Sequence, residues 1–397
     1  MEKNNKTLNV PNLRFPEFSG EWESTPISTI ADIIGGGTPD TSVDEYWGGN
    51  IQWFTPSEIG KEKYAYLSDR TITEAGLKNS SAKLLPQGTV LLSTRATIGE
   101  CSIATAECTT NQGFQSLVAK KNNVSSEFLY YIVAKIKREM LRRSCGSTFL
   151  EISANELKKI HANIPSKAEQ EKLVSLLSLI DQRIETQKKI IEDLKKLKDA
   201  ICNLNFTSGS VLKLENTGKF VRGLTYSASD VIDYTIGTAV MRSNNISNGD
   251  PVNFEELVWV NKTPNHEQIL RSGDIVICMA NGSSSLVGKA SYYVDCGIES
   301  ATVGAFCGIY RSDNPLTKWL FQSKHYKKHI QRCIQGGNGA IANIYPEDIL
   351  AISFNIPCGY ERVLNILNSL EEKYLLEQKL LSRYLGVKSY LLSRLFI

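Results

Sequence analysis

The sequence predicts an α+β (mixed α/β) chain in which one domain is used twice with pseudo-twofold symmetry, the copies joined by two long antiparallel coiled-coil helices. Three observations carry this. A length of 397 residues suits two to three domains at ~150 residues each. One organisation recurs after about 190 residues, a repeat signal that takes precedence over local propensity. Two stretches, each after an Asn-Ile-Pro, carry apolar residues at alternating steps of four and three. The expected divisions are 1–165, a first mixed domain; 166–206, a central spacer helix; 207–357, a second mixed domain; and 358–397, a C-terminal spacer helix.

Short strands with Gly, Asn and Ser turns are expected over 25–120 and 211–312. L-P-Q-G-T-V-L-L at 85–92 matches L-R-S-G-D-I-V-I at 270–277; in each, a Gly turn launches a short β-branched or aliphatic run, the pattern of a buried strand. Polar loops follow, T-R-A-T-I-G at 94–99 and N-G-S-S-S-L-V-G at 281–288, then N-Q-G-F at 111–114 and V-G-A-F at 303–306. Helices near 126–143 and 315–334 run into the Gly-containing turns S-C-G-S-T and Q-G-G-N-G. Asn163-Ile164-Pro165 and Asn355-Ile356-Pro357 close the two copies.

Leu173, Leu177, Ile180, Ile184, Ile191, Leu194 and Ile201 form the seam of the central helix, and Val363, Leu367, Leu370, Tyr374, Leu381, Tyr384 and Leu391 that of the last one. A 39-residue helix extends roughly 58 Å at about 1.5 Å per residue, longer than one domain needs across its core, so it is read as a spacer. Gln187 and Glu377 interrupt the seams. In an antiparallel pair they are expected to be neighbours and to fix helix register; the alternative is that both reach solvent.

Composition excludes several classes. The N-terminus is polar and no run of about 18 apolar residues occurs, so a cytoplasmic protein without membrane insertion is expected. Nine scattered cysteines without a C-x-x-C pair read as reduced thiols. There is no phosphate-binding loop, and Gly35-Gly36-Gly37 lacks the spacing of a dinucleotide site. His325, His329 and Cys333 fall on one helical face, but no further ligands stand out, so no metal is expected. The first copy holds a single histidine, His161, which disfavours a duplicated His-based mechanism, and no catalytic residues are assigned.

The net charge of +3 averages over local basic clusters. Between Lys120 and Lys159 nine Lys and Arg face four acidic residues, and between Arg311 and Tyr345 six face one. Cations beside a Gly-rich turn suit phosphate binding. The candidates are Lys137, Arg142, Arg143 and Ser147 in the first copy, and Lys324, Lys327, Lys328, Arg332 and Asn338 in the second; the alternative is an ordinary solvated helix face. Base edges require side chains that donate and accept. The loop candidates are Thr55, Ser57, Arg95 and Thr97 in the first copy and Arg242, Asn244, Asn245, Asn281 and Ser283 in the second, with Arg95 and Asn281 at equivalent places; such residues also serve as turn formers.

The opening V-P-N-L-R-F-P-E-F-S-G-E-W at 10–22, W-F-T-P-S-E-I, T-R-A-T-I-G, N-Q-G-F-Q and I-P-S-K-A-E-Q-E-K-L before the long helix together resemble the specificity (S) subunit of type I restriction-modification enzymes. The resemblance covers essentially the whole chain. It implies two target-recognition domains, each reading one half of a split sequence in double-stranded DNA, and helices that dock methyltransferase (M) subunits, two in number, and through them restriction (R) subunits. It also implies a non-catalytic subunit without cofactors, with S-adenosylmethionine, ATP and Mg acting in the partner subunits. The P-x-x-x-E-Q pattern departs in the second copy, where Pro357-Cys358-Gly359-Tyr360-Glu361-Arg362 keeps the Glu and replaces the Gln, so the two docking sites need not be equal. The competing reading is a coiled-coil protein-interaction scaffold without sequence-specific DNA binding; the duplicated basic clusters argue against it.

Overall fold

The computed structural model describes residues 9–145, 150–206, 208–233, 236–335 and 341–397. It divides into two compact units, Met1–Lys188 with Lys379–Ile397, and Lys189–Gln378. Each unit therefore takes its own mixed α/β portion and a stretch of both long helices.

The first unit opens and closes with an antiparallel ribbon, Glu23–Pro26 on His161–Ile164. Ala31–Gly35 lies antiparallel to Gln115–Ala119, which also borders Val90–Leu92; that strand pairs antiparallel with Cys101–Ala104. A second sheet sets Trp47–Phe54 parallel to Cys108–Thr110. The second unit repeats these pairings: Ser210–Lys213 on Ser353–Ile356, Lys219–Arg222 on Cys307–Arg311, Ile275–Cys278 on Ala290–Tyr292, and Thr238–Met241 parallel to Ala301–Val303. The fold class expected from the repeat is thus what the chain adopts. The Val90–Leu92 and Ile275–Cys278 strands are fully buried, as their unbroken apolar runs require. Gly88 and Gly273 before them have φ of 86° and 93°, a conformation that favours glycine.

A basic helix packs on the main sheet of each unit, Ser126–Arg143 in the first and Lys324–Cys333 in the second. Ser125 and Ser323 cap them by accepting from the Phe128 and Tyr326 N–H groups. The alternation of buried and exposed residues is the same along 131–145 and 321–335, so Lys137 corresponds to Lys327, Arg138 to Lys328, Glu139 to His329 and Arg142 to Arg332.

The long helices span Lys167–Asn205 and Tyr360–Leu395. Inside the first unit their segments run antiparallel, with Lys388 on Asp181 at 2.7 Å and Arg183 donating to the Tyr384 hydroxyl at 3.3 Å. Inside the second, Lys198 meets Glu371 at 2.5 Å. Lys198 and Lys388 occupy seam positions of their helices, so each seam has a second polar interruption beyond the expected Gln187 and Glu377. Lys198 and Glu371 are 2% and 3% exposed, and Glu371 also accepts from the Tyr292 hydroxyl. Its counterpart Asp181 accepts from the Tyr131 hydroxyl at 2.6 Å, and burial pushes that phenol's pKa up. Gln187 and Glu377 are themselves buried, and Lys373 pairs with Glu377 at 2.5 Å.

The motif around the first Asn-Ile-Pro has a structural reason. Glu169, 1% exposed, accepts a two-pronged pair from Arg14 at 2.8 and 2.7 Å and a bond from the Trp22 indole at 3.3 Å. Gln170 donates to the Asn123 and Pro165 carbonyls. Glu169 thus ties the segment bearing R-F-P-E-F-S-G-E-W onto its unit, while Gln170 holds the Asn123 loop and the turn at Pro165. In the second copy Glu361 and Arg362 are exposed, which explains why that copy tolerates the replacement. Replacing Glu169 by Ala strands the Arg14 guanidinium and is expected to cost about 3 kcal/mol. Hydrogen exchange should show residues 9–22 losing protection; unchanged exchange there would contradict the tie.

Candidate nucleic-acid interface

In each unit three loops and the end of the basic helix converge at one edge of the sheets. In the first, the turn after the parallel strand (Thr55–Glu58), the loop after the central strand (Ser93–Gly99) and the loop Asn111–Gly113 surround a concavity of about 230 Å³ lined by Pro56, Arg95, Ala96, Asn111, Gln112 and Gly113. The chain leaving the basic helix returns beside it: Cys145 bridges Glu151, Glu151 bridges Arg95, and the Ile152 N–H donates to the Thr94 carbonyl at 3.1 Å. In the second, the corresponding loops enclose about 400 Å³, with Tyr226, Arg242, Asn281, Phe306 and Ile341 among the lining residues. There Gln335 bridges Asn343, Asn281 pairs with Ala342, and the Ile344 N–H donates to the Met279 carbonyl at 2.9 Å.

The loop residues singled out from sequence divide into presented and consumed groups. Arg95 and Thr97 are exposed; Arg95 lies 3.9 Å from Glu151, and the Thr97 hydroxyl is 2.9 Å from that of Ser93. Ala96 between them sits at φ 62°, a left-handed conformation uncommon for alanine and typical of constrained sites. Thr55 caps its own turn, its hydroxyl donating to Glu58 at 2.5 Å, while Ser57 is exposed. Arg242, Asn244 and Ser283 are exposed. Asn281 joins two loops, donating to the Ser243 hydroxyl at 3.1 Å and accepting from the Ser283 N–H at 3.0 Å. Asn245 differs from expectation. It is fully buried, accepts from the Arg242 N–H and donates to the Asn253 and Glu255 carbonyls, so its amide holds the loop and is not presented.

Strand register also shifts one equivalence. Ser93 bridges Phe114 where Cys278 pairs with Cys307, and the Thr94 N–H donates to Gly113 where that of Met279 donates to Phe306. Arg95 therefore matches Ala280, and Asn281 matches Ala96, one residue from the sequence alignment. The same ladders make Gly113 and Phe306 counterparts. Asn111, Gln112, Tyr226, Phe306 and Ile341 join the site unannounced by the sequence reading, although N-Q-G-F and V-G-A-F had marked the right loop.

The phosphate candidates fall on the exposed sides of the two basic helices, with different electrostatics. Glu139 accepts from Arg142 at 2.8 Å and Arg143 at 2.5 Å, and these bonds hold its carboxyl down at about 2, so it stays ionised and neutralises its neighbours. Lys137 pairs with Glu100 at 2.6 Å and Arg143 also with Glu156 at 3.3 Å. In the second helix His329 replaces Glu139. Among the described residues no carboxylate lies within ion-pairing distance of Lys324, Lys327, Lys328 or Arg332. Ser147 and Asn338 lie outside the described residues. His329 shares a hydrogen bond with the Asp348 carbonyl and His325 packs against Phe354, and no metal-binding group of three or more His, Cys, Asp or Glu occurs among the described residues. No helix of the described residues is long and apolar enough to cross a membrane.

Residues 19–196 match the type I restriction modification DNA specificity domain. The MjaIX specificity subunit of Methanocaldococcus jannaschii is 42% identical over 181 residues, 45% of this chain and 42% of that one. The EcoR124I/EcoR124II specificity subunit of Escherichia coli is 26% identical over 176 residues, 43% of each; the matched part thus spans less than half the length of these two relatives. The MjaVIII specificity subunit of Methanocaldococcus jannaschii aligns over 353 residues at 23% identity, 82% of this chain and 79% of that one. Among solved structures, the type I S subunit from M. genitalium shares the fold at a TM-score of 0.54 and 16% identity, over 98% of this chain and 99% of that one. A type I restriction modification DNA specificity domain thus matches residues 19–196, and the chain as a whole shares the fold of a solved type I S subunit.

Proposed function

We propose that the protein is the sequence-specific DNA-binding subunit of a type I restriction-modification complex, each unit reading one half of a split target. The observation that supports this best is the duplicated convergence of base-competent loops and a cationic helix end at the same edge of two units of one topology. Phosphate contacts from the basic helices would set each unit in register, and the loops would read base edges in the major groove. The long helices would dock methyltransferase subunits, two in number, and restriction subunits through them. S-adenosylmethionine, ATP and Mg would serve those partners, this chain supplying no catalytic group.

Co-expression with the methyltransferase subunits and genome-wide mapping of modified bases is expected to return a two-part motif with a fixed gap. A continuous motif would overturn the reading. Arg95→Ala is expected to relax one half of that motif and Asn281→Ala the other, each by about 1–3 kcal/mol of discrimination per lost base contact. Relaxation of both halves by either variant would contradict independent readers.

A further inference from the structure

The two equivalent concavities differ in chemistry. At the position where the first unit has Gly113, the second has Phe306, 64% exposed, and Ile341, 56% exposed, lines the same concavity. Tyr226 completes an apolar rim, while the first unit's concavity offers Arg95, Asn111 and Gln112 instead. Two exposed large apolar side chains gathered with the half-buried Tyr226 around one concavity mark an interaction surface, whereas scattered single ones do not.

The occupant is constrained by charge. Arg242 lies in the same concavity, and the basic helix Lys324–Cys333 leads through Gln335 into the strand pair that carries Asn281. Cations flanking an apolar spot suit a polyanion that presents one apolar group. Among the unmodified bases, the apolar group that projects into the DNA major groove is the C5-methyl of thymine, which 5-methylcytosine shares; the donors and acceptors beside it would be left unpaired by an apolar rim.

We propose that Phe306, with Ile341 and Tyr226, is a specificity-determining contact to a pyrimidine C5-methyl in the half-site of the second unit. This rests on the reading of each unit as a half-site reader.

The test uses the complex of this chain with its methyltransferase subunits and duplexes carrying the motif obtained from methylation mapping. Each thymine is replaced in turn by deoxyuridine, and each cytosine by 5-methylcytosine, and affinity is read by fluorescence anisotropy. One deoxyuridine in one half-site is expected to weaken wild-type binding roughly four-fold, the worth of one buried methyl group, and to leave Phe306→Ala unaffected. Tightening by 5-methylcytosine at one position, lost in Phe306→Ala, would support the contact with methylcytosine as the source. If no C5 change alters affinity by about two-fold, the proposal falls while the split-motif reading stands. It falls too if Phe306→Ala and Ile341→Ala leave DNA affinity intact and release the methyltransferase, since the rim is then a protein contact. A complex that recognises no split motif sinks the half-site reading itself. Unchanged thermal unfolding of both variants verifies that the effects are local.

Discussion

Replacing Lys327 and Lys328 by alanine is expected to weaken DNA binding of the proposed complex to target and non-target sequences alike. Both lie on the helix Lys324–Cys333, where His329 stands in place of the neutralising Glu139 of the first unit. A phosphate contact releases condensed counterions and contributes about 0.9 to the slope of log affinity against log salt. Losing two contacts lowers that slope by roughly 2, so between about 50 and 200 mM salt the variant loses some ten-fold less affinity than wild type. Electrophoretic or anisotropy titrations over that range read the slope directly. A loss confined to the target sequence would place these lysines at bases rather than phosphates. The first unit gives the opposite sign: Glu139→Gln releases Arg142 from its ion pair, while Arg143 keeps Glu156, and is expected to steepen the salt dependence, whereas an unchanged slope would mean that the helix does not face DNA.

Lys198→Met destabilises the protein by about 3–5 kcal/mol, the cost of stranding a buried carboxylate. Glu371 is almost fully buried, and in wild type it is held by Lys198 and the Tyr292 hydroxyl; without the ammonium it loses its direct ion pair and keeps the phenol as a hydrogen-bond donor. Urea denaturation of the full chain should show the loss, and Lys198→Met with Glu371→Leu should recover most of it, because an apolar pair of similar volume removes the desolvation cost altogether. If the single variant falls within about 1 kcal/mol of wild type, water reaches the pair and it is worth no more than a surface ion pair. The double variant also tests what the charges are for. A stable protein that no longer binds a split target would show that the pair sets helix register rather than stability, the best attested use of buried polar layers.

The repeated strands, the long helices and the basic helices were legible because their signals are local. A Gly turn before a buried aliphatic run, a serine cap, and apolar residues at steps of three and four need no knowledge of distant chain. The seam positions of Lys198 and Lys388 are equally local, yet a reading that follows only apolar residues passes over them. Their partners Glu371 and Asp181 lie far away in sequence, and only the antiparallel packing within each unit selects them.

Residue types that can bind DNA could be collected from the chain itself, but which of them face outward could not. Asn244 and Asn245 are chemically identical neighbours, and one is exposed while the other is spent on backbone carbonyls, since a short turn points successive side chains in different directions. The match of Asn281 to Ala96, and of Phe306 to Gly113, follows from hydrogen-bond register, which a one-residue slip changes entirely. Whether Arg142 is an available cation or half of an ion pair depends on Glu139 one helical turn away and on Arg143 sharing it. Periodicity and local turn chemistry therefore establish the repeat and the fold class from the chain alone. The selection of presented side chains, their pairing and the chemical contrast between the two concavities arise only when strands far apart in sequence lock into register.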